Sequence, residues 1–143
     1  MEELKPYCHQ VQYYETDMMG ITHHANYIHW MEEARVDFMD QIGYPYKAME
    51  DQGIGSPVTK VSVEYKHPST FGDRIAVKVS VVSFTGVRIV IGYTMCNQDR
   101  NIVCEGTSEH VFMNREKRLV RMKQQLPGFC AAIEEVMQKQ AEK

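Results

Sequence analysis

Asp17 and His24 bracket the stretch of this chain whose residue types could act on a carbonyl group. It reads Tyr13-Tyr14-Glu15-Thr16-Asp17-Met18-Met19-Gly20-Ile21-Thr22-His23-His24-Ala25-Asn26-Tyr27. A strand-like run ends near Glu15, and an acidic residue then opens a loop. Gly20 permits a sharp turn, because a residue without a side chain takes positive φ at no steric cost. A long amphipathic helix follows. A carboxylate, an imidazole and the first N–H groups of a helix are thus gathered in a short span. Those N–H groups have no partner inside the helix, and the helix dipole adds partial positive charge there. Such a place can stabilise a developing oxyanion, and a nearby carboxylate can activate water or attack a carbonyl itself. Set against this, an Asp between a strand and a helix is most often a cap or a turn former. Tyr13, four positions before Asp17, has a phenol that could reach the carboxylate or an incoming acyl group, although a Tyr ring more often packs in a core. Thr22 and Asn26 read as capping residues, and His23 is a weaker candidate than His24.

The elements that must position these groups follow in order. Tyr7 to Glu15 reads as a first strand. The helix spans about His24 to Ile42, with Tyr27, Met31, Ala34, Phe38 and Ile42 spaced by three and four along one face. Gly43 and Pro45 stop it. At about 1.5 Å per residue it reaches about 28 Å, which matches strands of eight or nine residues at about 3.3 Å each. It can therefore lie along a sheet, with Met31 and Phe38 in the core. A short helix from Tyr46 to Asp51 ends at Gly53. Strands are expected over Gly55–Lys66, Arg74–Phe84, Val87–Asn97 and Ile102–Met113, the last three as a meander. In Arg74–Phe84, Ile75, Val77, Val79 and Val81 share a face. A C-terminal helix from Leu126 to Lys139 offers Phe129, Ile133, Val136 and Met137. One strand, a long helix, a short helix and four strands make an α+β layout, an antiparallel sheet with its helix on one face.

Composition narrows the functional classes. A length of 143 residues suits one domain spanning residues 1–143 with a real core. With 43% hydrophobic and 24% charged residues, the chain is ordinary for a soluble globular protein. A net charge of −3 gives no basic field, so no nucleic-acid partner is expected. No apolar run approaches the ~18 residues of a membrane span. The start, Met1-Glu2-Glu3-Leu4-Lys5-Pro6, lacks the apolar core of a signal peptide, and a cytoplasmic location is expected. Cys8, Cys96, Cys104 and Cys130 form no CxxC pair and read as buried free thiols. His23, His24 and His29 do not follow HExxH spacing, so neither a metal nor a cofactor is expected. Gly53-Ile54-Gly55-Ser56-Pro57 is not GxSxG, and the chain holds no P-loop and no GxGxxG.

Asp17, Gly20, His24, Asn26 and Tyr27, followed by Glu32-Glu33-Ala34-Arg35, resemble the signature of the 4-hydroxybenzoyl-CoA thioesterase family of hotdog-fold proteins. Within that family the pattern is most similar to the acyl-CoA thioesterases associated with the Tol–Pal system. The likeness runs from about Tyr7 to about Asn114. It implies a hotdog fold, a five-stranded antiparallel sheet curled round one long helix. It also implies a homodimer or homotetramer with active sites between subunits. In such relatives a Tyr at the spacing of Tyr13 is implicated in the site, and the residue matching His24 is a functional candidate. The aryl-CoA branch often has an aromatic residue there, so His24 favours acyl-CoA.

The implied activity is hydrolysis of an acyl-CoA thioester. Sulfur donates electrons to the carbonyl poorly, and a thiolate, with a thiol pKa near ~8.5, leaves with little acid help. One carboxylate and one polarising site can then suffice. Asp17 acts as general base or as nucleophile, two roles the sequence leaves open, and backbone N–H groups near His24 polarise the carbonyl. Gly20 and Tyr27 are expected to shape the substrate site. Lys60, Arg88 and the cluster Arg115, Lys117, Arg118 and Arg121 are candidates for the coenzyme phosphates. Arg35 is expected in an ion pair or a subunit contact. The alternatives are an acyl-carrier-protein thioesterase, whose acidic donor would suit the same basic cluster, a non-catalytic acyl-CoA-binding protein, or a hotdog dehydratase, whose motif is not seen.

Overall fold

The apolar stripe read from the sequence becomes the spine of the core. In the structure, a computed structural model that describes residues 3–142, the long helix α1 is Asn26–Gln41. Tyr27, Met31, Ala34, Phe38 and Ile42 are all buried, together with Trp30 and Met39. Burial of a Met, Phe or Ile side chain contributes roughly 1.5–3 kcal/mol, so this face commits the helix to the sheet. Met1 and Glu2, the first residues of the polar N-terminal stretch, and Lys143 lie outside the described residues.

The sheet has strands β1 Tyr7–Gln10, β2 Val58–Tyr65, β3 Arg74–Phe84, β4 Arg88–Cys96 and β5 Ile102–Val111. Their order is β1-β3-β4-β5-β2, and every neighbouring pair is antiparallel. The expected meander is β3-β4-β5. β3 carries Ile75, Val77 and Val81 into the core, with Val79 partly buried. Helix α1 approaches the sheet closely at Gly106, where a Cβ would collide with the Met31 side chain and the Ser62 carbonyl oxygen. The chain has the α+β hotdog architecture, a five-stranded antiparallel sheet with helices packed on it.

α2, Tyr46–Asp51, follows α1. After β5 come the short α3, Met122–Gln125, which the sequence reading lacks, and α4, Pro127–Ala141. Phe129 of α4 meets Phe84, Phe112 and Tyr44 edge to face, at centroid distances from 5.6 to 5.9 Å. α4 also closes an irregularity in β3. The Gln140 side-chain amide donates to the Val81 carbonyl at 3.0 Å and accepts from the Val81 N–H at 2.8 Å, where the β3–β4 register shifts.

Three expectations are corrected. The first strand ends at Gln10, and Tyr13–Glu15 is a 3-10 turn, because the Glu15 carboxylate captures the Gln12 N–H at 2.8 Å and curls the chain. Cys8 is exposed on edge strand β1, whereas Cys104 and Cys130 are buried. Arg35 pairs with no carboxylate among the described residues. Its Nε and Nη1 donate instead to the hydroxyls of Tyr46 at 2.9 Å and Tyr93 at 3.0 Å. Among the described residues no helix is long and apolar enough to cross a membrane.

Candidate active site

The chain between the 3-10 turn and α1 is a tight loop tied at both ends. Thr16 and Thr22 form an isolated antiparallel bridge, the Asp17 N–H donates to the Ile21 carbonyl at 2.8 Å, and the Gly20 N–H donates to the Asp17 carbonyl at 3.0 Å. Gly20 closes the turn with φ of 79°, in the region that favours glycine. Asp17 is exposed. Its Oδ1 accepts the Met19 N–H at 2.8 Å, an Asx turn that orients the carboxylate. Among the described residues nothing bonds to Oδ2. Asp17 is therefore both the turn former that its position suggests and a carboxylate with one oxygen facing outward.

The loop rests on the connection between β2 and β3. The Thr22 N–H donates to the Ser69 carbonyl at 2.8 Å, and the Thr22 and Ser69 hydroxyls share a hydrogen bond at 2.6 Å. The Tyr27 hydroxyl meets the Ser69 hydroxyl at 2.8 Å, and the Thr70 hydroxyl donates to the Gly20 carbonyl at 2.9 Å. Thr22 thus anchors the loop and is not a helix cap. Tyr27 is buried, with its ring against Trp30 at 4.8 Å and Tyr65 at 5.4 Å, and forms the wall beneath the loop.

At the helix start, the Asn26 N–H donates to the His23 carbonyl at 3.0 Å, and the Ala25 N–H donates to His23 Nδ1 at 3.2 Å. Among the described residues the His24 N–H has no acceptor. The peptide that carries the His24 N–H is held through its other end, the His23 carbonyl, by the Asn26 N–H, while the next carbonyl, that of His24, accepts from the Tyr65 hydroxyl at 3.0 Å, and the exposed His24 ring stacks on His23 at 4.2 Å. The His24 N–H, without an acceptor among the described residues, therefore stands at the entrance to α1, on the same loop as Asp17.

Glu15, Ser69 and Trp30 are residues of the site that the sequence reading lacks. Glu15 is buried. Burial alone would raise its pKa, but hydrogen bonds from the Gln12 N–H, His9 and Trp30 hold it below the usual carboxylate value. The signals were indirect: Trp30 is the sole tryptophan and sits three residues after Tyr27, and a buried indole N–H needs an acceptor.

The remaining candidates lie apart. Tyr13 is exposed, its ring edge-on to Phe71 at 5.8 Å, and its hydroxyl bonds to no described residue. Lys60 lies on β2 opposite Glu109, whereas Tyr65, which touches His24, lies opposite Cys104. The two positions on β2 are about 17 Å apart at ~3.3 Å per residue. Arg88 makes an ion pair with Glu109 at 3.2 Å, also far along the sheet from Asp17. Burial pushes the Cys104 thiol up to about 11, which leaves it inert beneath Tyr65. Among the described residues no group of His, Cys, Asp and Glu could hold a metal ion.

Between α1 and β2 an open groove of about 230 Å³ is lined by Ile28, Met31, Glu32, Arg35, Val58 and Val61, with His29 and Ser108.

Comparison with known proteins bears on this geometry. Residues 11–140 match the family model described as the Thioesterase-like superfamily. The chain is 32% identical over 126 residues to YneP of Bacillus subtilis, covering 87% of this chain and 91% of that protein. It is 25% identical over 96 residues to YbgC of Escherichia coli O157:H7, named an acyl-CoA thioester hydrolase, covering 67% of this chain and 72% of that one. A solved structure of the DHNA-CoA thioesterase from Staphylococcus aureus superposes with a TM-score of 0.91 at 30% identity, over 96% of this chain and 93% of that chain. The chain belongs to the Thioesterase-like superfamily, and its fold is the hotdog fold.

Proposed function

We propose that this thioester hydrolase cleaves acyl-CoA thioesters to the free acid and coenzyme A, as one domain, with Asp17 and the His24 N–H as the acting pair. The observation that carries the reading is the loop itself. It presents an unbonded carboxylate oxygen and an unpartnered amide donor at a helix start, the first held by the Met19 N–H on the other oxygen and the second by the Asn26 N–H on the His23 carbonyl. The His24 N–H polarises the thioester carbonyl and stabilises the oxyanion that forms there. A donor of this kind is worth roughly 2.7–4 kcal/mol in other enzymes. Asp17 acts through Oδ2, either as a base that takes a proton from the water attacking the carbonyl, or by direct attack to form an acyl-enzyme anhydride that water then hydrolyses, and in each route the thiolate of the coenzyme departs. The exposed His24 ring, and the exposed Tyr13 phenol from the 3-10 turn ahead of the loop, are the groups assigned to orienting substrate.

The working unit in this reading is a homodimer formed through β2. That strand ends the sheet on one side and is exposed along nearly its whole length. It carries Val58, Val61 and Tyr65 beside the exposed Ile28 of α1. An uncovered edge of this kind is a template for pairing. Antiparallel pairing of two β2 edges sets the Tyr65 end of one copy beside the Val58 end of the other. Lys60, Arg88 and the basic stretch after β5 of one copy then approach the Asp17 loop of the other. This gives Lys60 and Arg88 a route to the coenzyme phosphates that they lack within a single chain.

Thiol release from a panel of acyl-CoAs tests the chemistry. Asp17→Asn keeps the oxygen that accepts the Met19 N–H, so the fold should persist while kcat falls by roughly 10²–10⁴, the range for a general base. Unchanged turnover would remove Asp17 from the mechanism. No turnover of any acyl-CoA by the wild type, with turnover of acyl-carrier-protein thioesters, would reassign the donor. Val61→Glu, which sets a charge on the paired edge, tests the assembly. Light scattering should show the dimer of the wild type reduced to a monomer in the variant.

A further inference from the structure

We infer that Glu15 is a positioning residue of this site, a buried group that ties the segment leading into Asp17 to the segment presenting the His24 amide. The inference rests on the reading of those two groups as the acting pair. Glu15 lies two residues before Asp17 and is buried. Its carboxylate binds β1, α1 and the backbone just ahead of its own turn. Oε1 accepts from the Gln12 N–H at 2.8 Å and from His9 Nε2 on β1 at 2.7 Å, and Oε2 accepts from the Trp30 indole N–H on α1 at 2.8 Å. Its backbone carbonyl holds the far end of the same loop, accepting the His23 N–H at 2.8 Å and the Asn26 side-chain amide at 2.9 Å. One residue thus pins both the segment that leads into Asp17 and the segment that presents the His24 N–H.

The arrangement requires a carboxylate. All three side-chain partners donate, and an ionised carboxylate only accepts. In Glu15→Gln, the amide nitrogen must face either the Trp30 N–H or the Gln12 N–H. In both orientations two donors are opposed inside the core, and the loop must shift to separate them. A displacement of about 1 Å at reacting groups can cost on the order of 10²-fold in rate. Behind His9 a further layer holds the ring. Its Nδ1 lies 3.4 Å from Glu33, which accepts the Tyr7 hydroxyl at 2.6 Å, and its face lies 4.7 Å from Trp30.

Trp30 is the only tryptophan, so its emission reports on this cluster. The test compares the wild type, Glu15→Gln and the conservative Glu15→Asp by three measurements. These are kcat and KM on an acyl-CoA, Trp30 emission, and hydrogen exchange of the backbone amides from 16 to 26. Glu15→Gln is expected to lower kcat between ten- and a hundredfold with KM within about threefold. It should also shift Trp30 emission and speed exchange in the loop, while exchange in β3 and β4 stays slow. Glu15→Asp should recover part of kcat. Wild-type kcat in a folded Glu15→Gln variant would overturn the inference, as would unchanged loop exchange. If the wild type hydrolyses no CoA thioester, the proposed function fails, and loop exchange alone then decides whether Glu15 holds the loop.

Discussion

Two buried polar clusters flank α1, and they are built in opposite senses. Under the Asp17 loop the centre is an anion. Glu15 accepts from Gln12, His9 and Trp30, and each bond ties a different stretch of chain to the loop. Under the groove between α1 and β2 the centre is a cation. Arg35 can only donate, and it donates to the hydroxyls of Tyr46 and Tyr93. The direction of the chain beyond it follows. The Tyr93 hydroxyl donates to Ser108 Oγ at 2.7 Å, Ser108 donates to His110 Nε2 at 2.8 Å, and His110 Nδ1–H donates to the Ser56 carbonyl at 3.0 Å. The first cluster converges on the exposed Asp17 loop. The second runs beneath an open groove beside the exposed strand β2. The difference separates two demands on one small fold, a firm hold on the Asp17 loop at one place and a specified surface at the other.

The largest expected contrast sets Asp17→Asn against Arg35→Met. Asp17→Asn should cost two to four orders of magnitude in kcat with little change in melting temperature. Arg35→Met keeps the apolar stem but leaves the Tyr46 and Tyr93 hydroxyls without their donor. It should cost about 1–3 kcal/mol of stability, with kcat measured well below the melting range held within a few-fold. Denaturant titration and initial rates on both variants check this. If Arg35→Met proves as inactive as Asp17→Asn while folded, the division between the clusters fails.

Much of this organisation was legible in the sequence, and the omissions have physical causes. The α1 stripe from Tyr27 to Ile42 and strand β3 were readable because periodicity records which face meets the core. Asp17, Gly20 and His24 were readable because they are close in sequence and a turn and a helix start bring them together. Tyr13-Tyr14-Glu15 has the composition of a strand, yet the side chain of Glu15 bends it into a turn, and a local side-chain hydrogen bond leaves no periodic signature. Lys60 and Arg88 were grouped with Asp17 by charge alone. Strand register, which sequence periodicity does not carry, sets them far along the sheet. Arg35, for which an ion pair or a subunit contact was expected, donates within the chain to phenols from α2 and β4, elements remote in sequence.

The smallest expected effect is also the sharpest on the comparison, because acid reaches the two clusters at different pH. Burial, the larger influence, and the nearby Arg35 charge push His110 below its usual 6.5, with the Ser56 contact opposing. The folded protein therefore keeps His110 neutral while the unfolded chain takes up a proton below about 6.5. Stability falls as pH drops below that value. Glu15 is also depressed, from 4.5. Its contribution is fully present above about 4.5 and is lost as pH falls from there through the folded value. Denaturant titrations from pH 8 down to pH 2 should show both losses in the wild type. His110→Gln should remove the earlier one and Glu15→Gln the later. Native Trp30 emission, which senses the Glu15 cluster directly, should stay flat through the first loss and move only in the second. A Trp30 change near pH 6.5 that disappears in His110→Gln would mean that the clusters are coupled across α1, and the two would then act as one network.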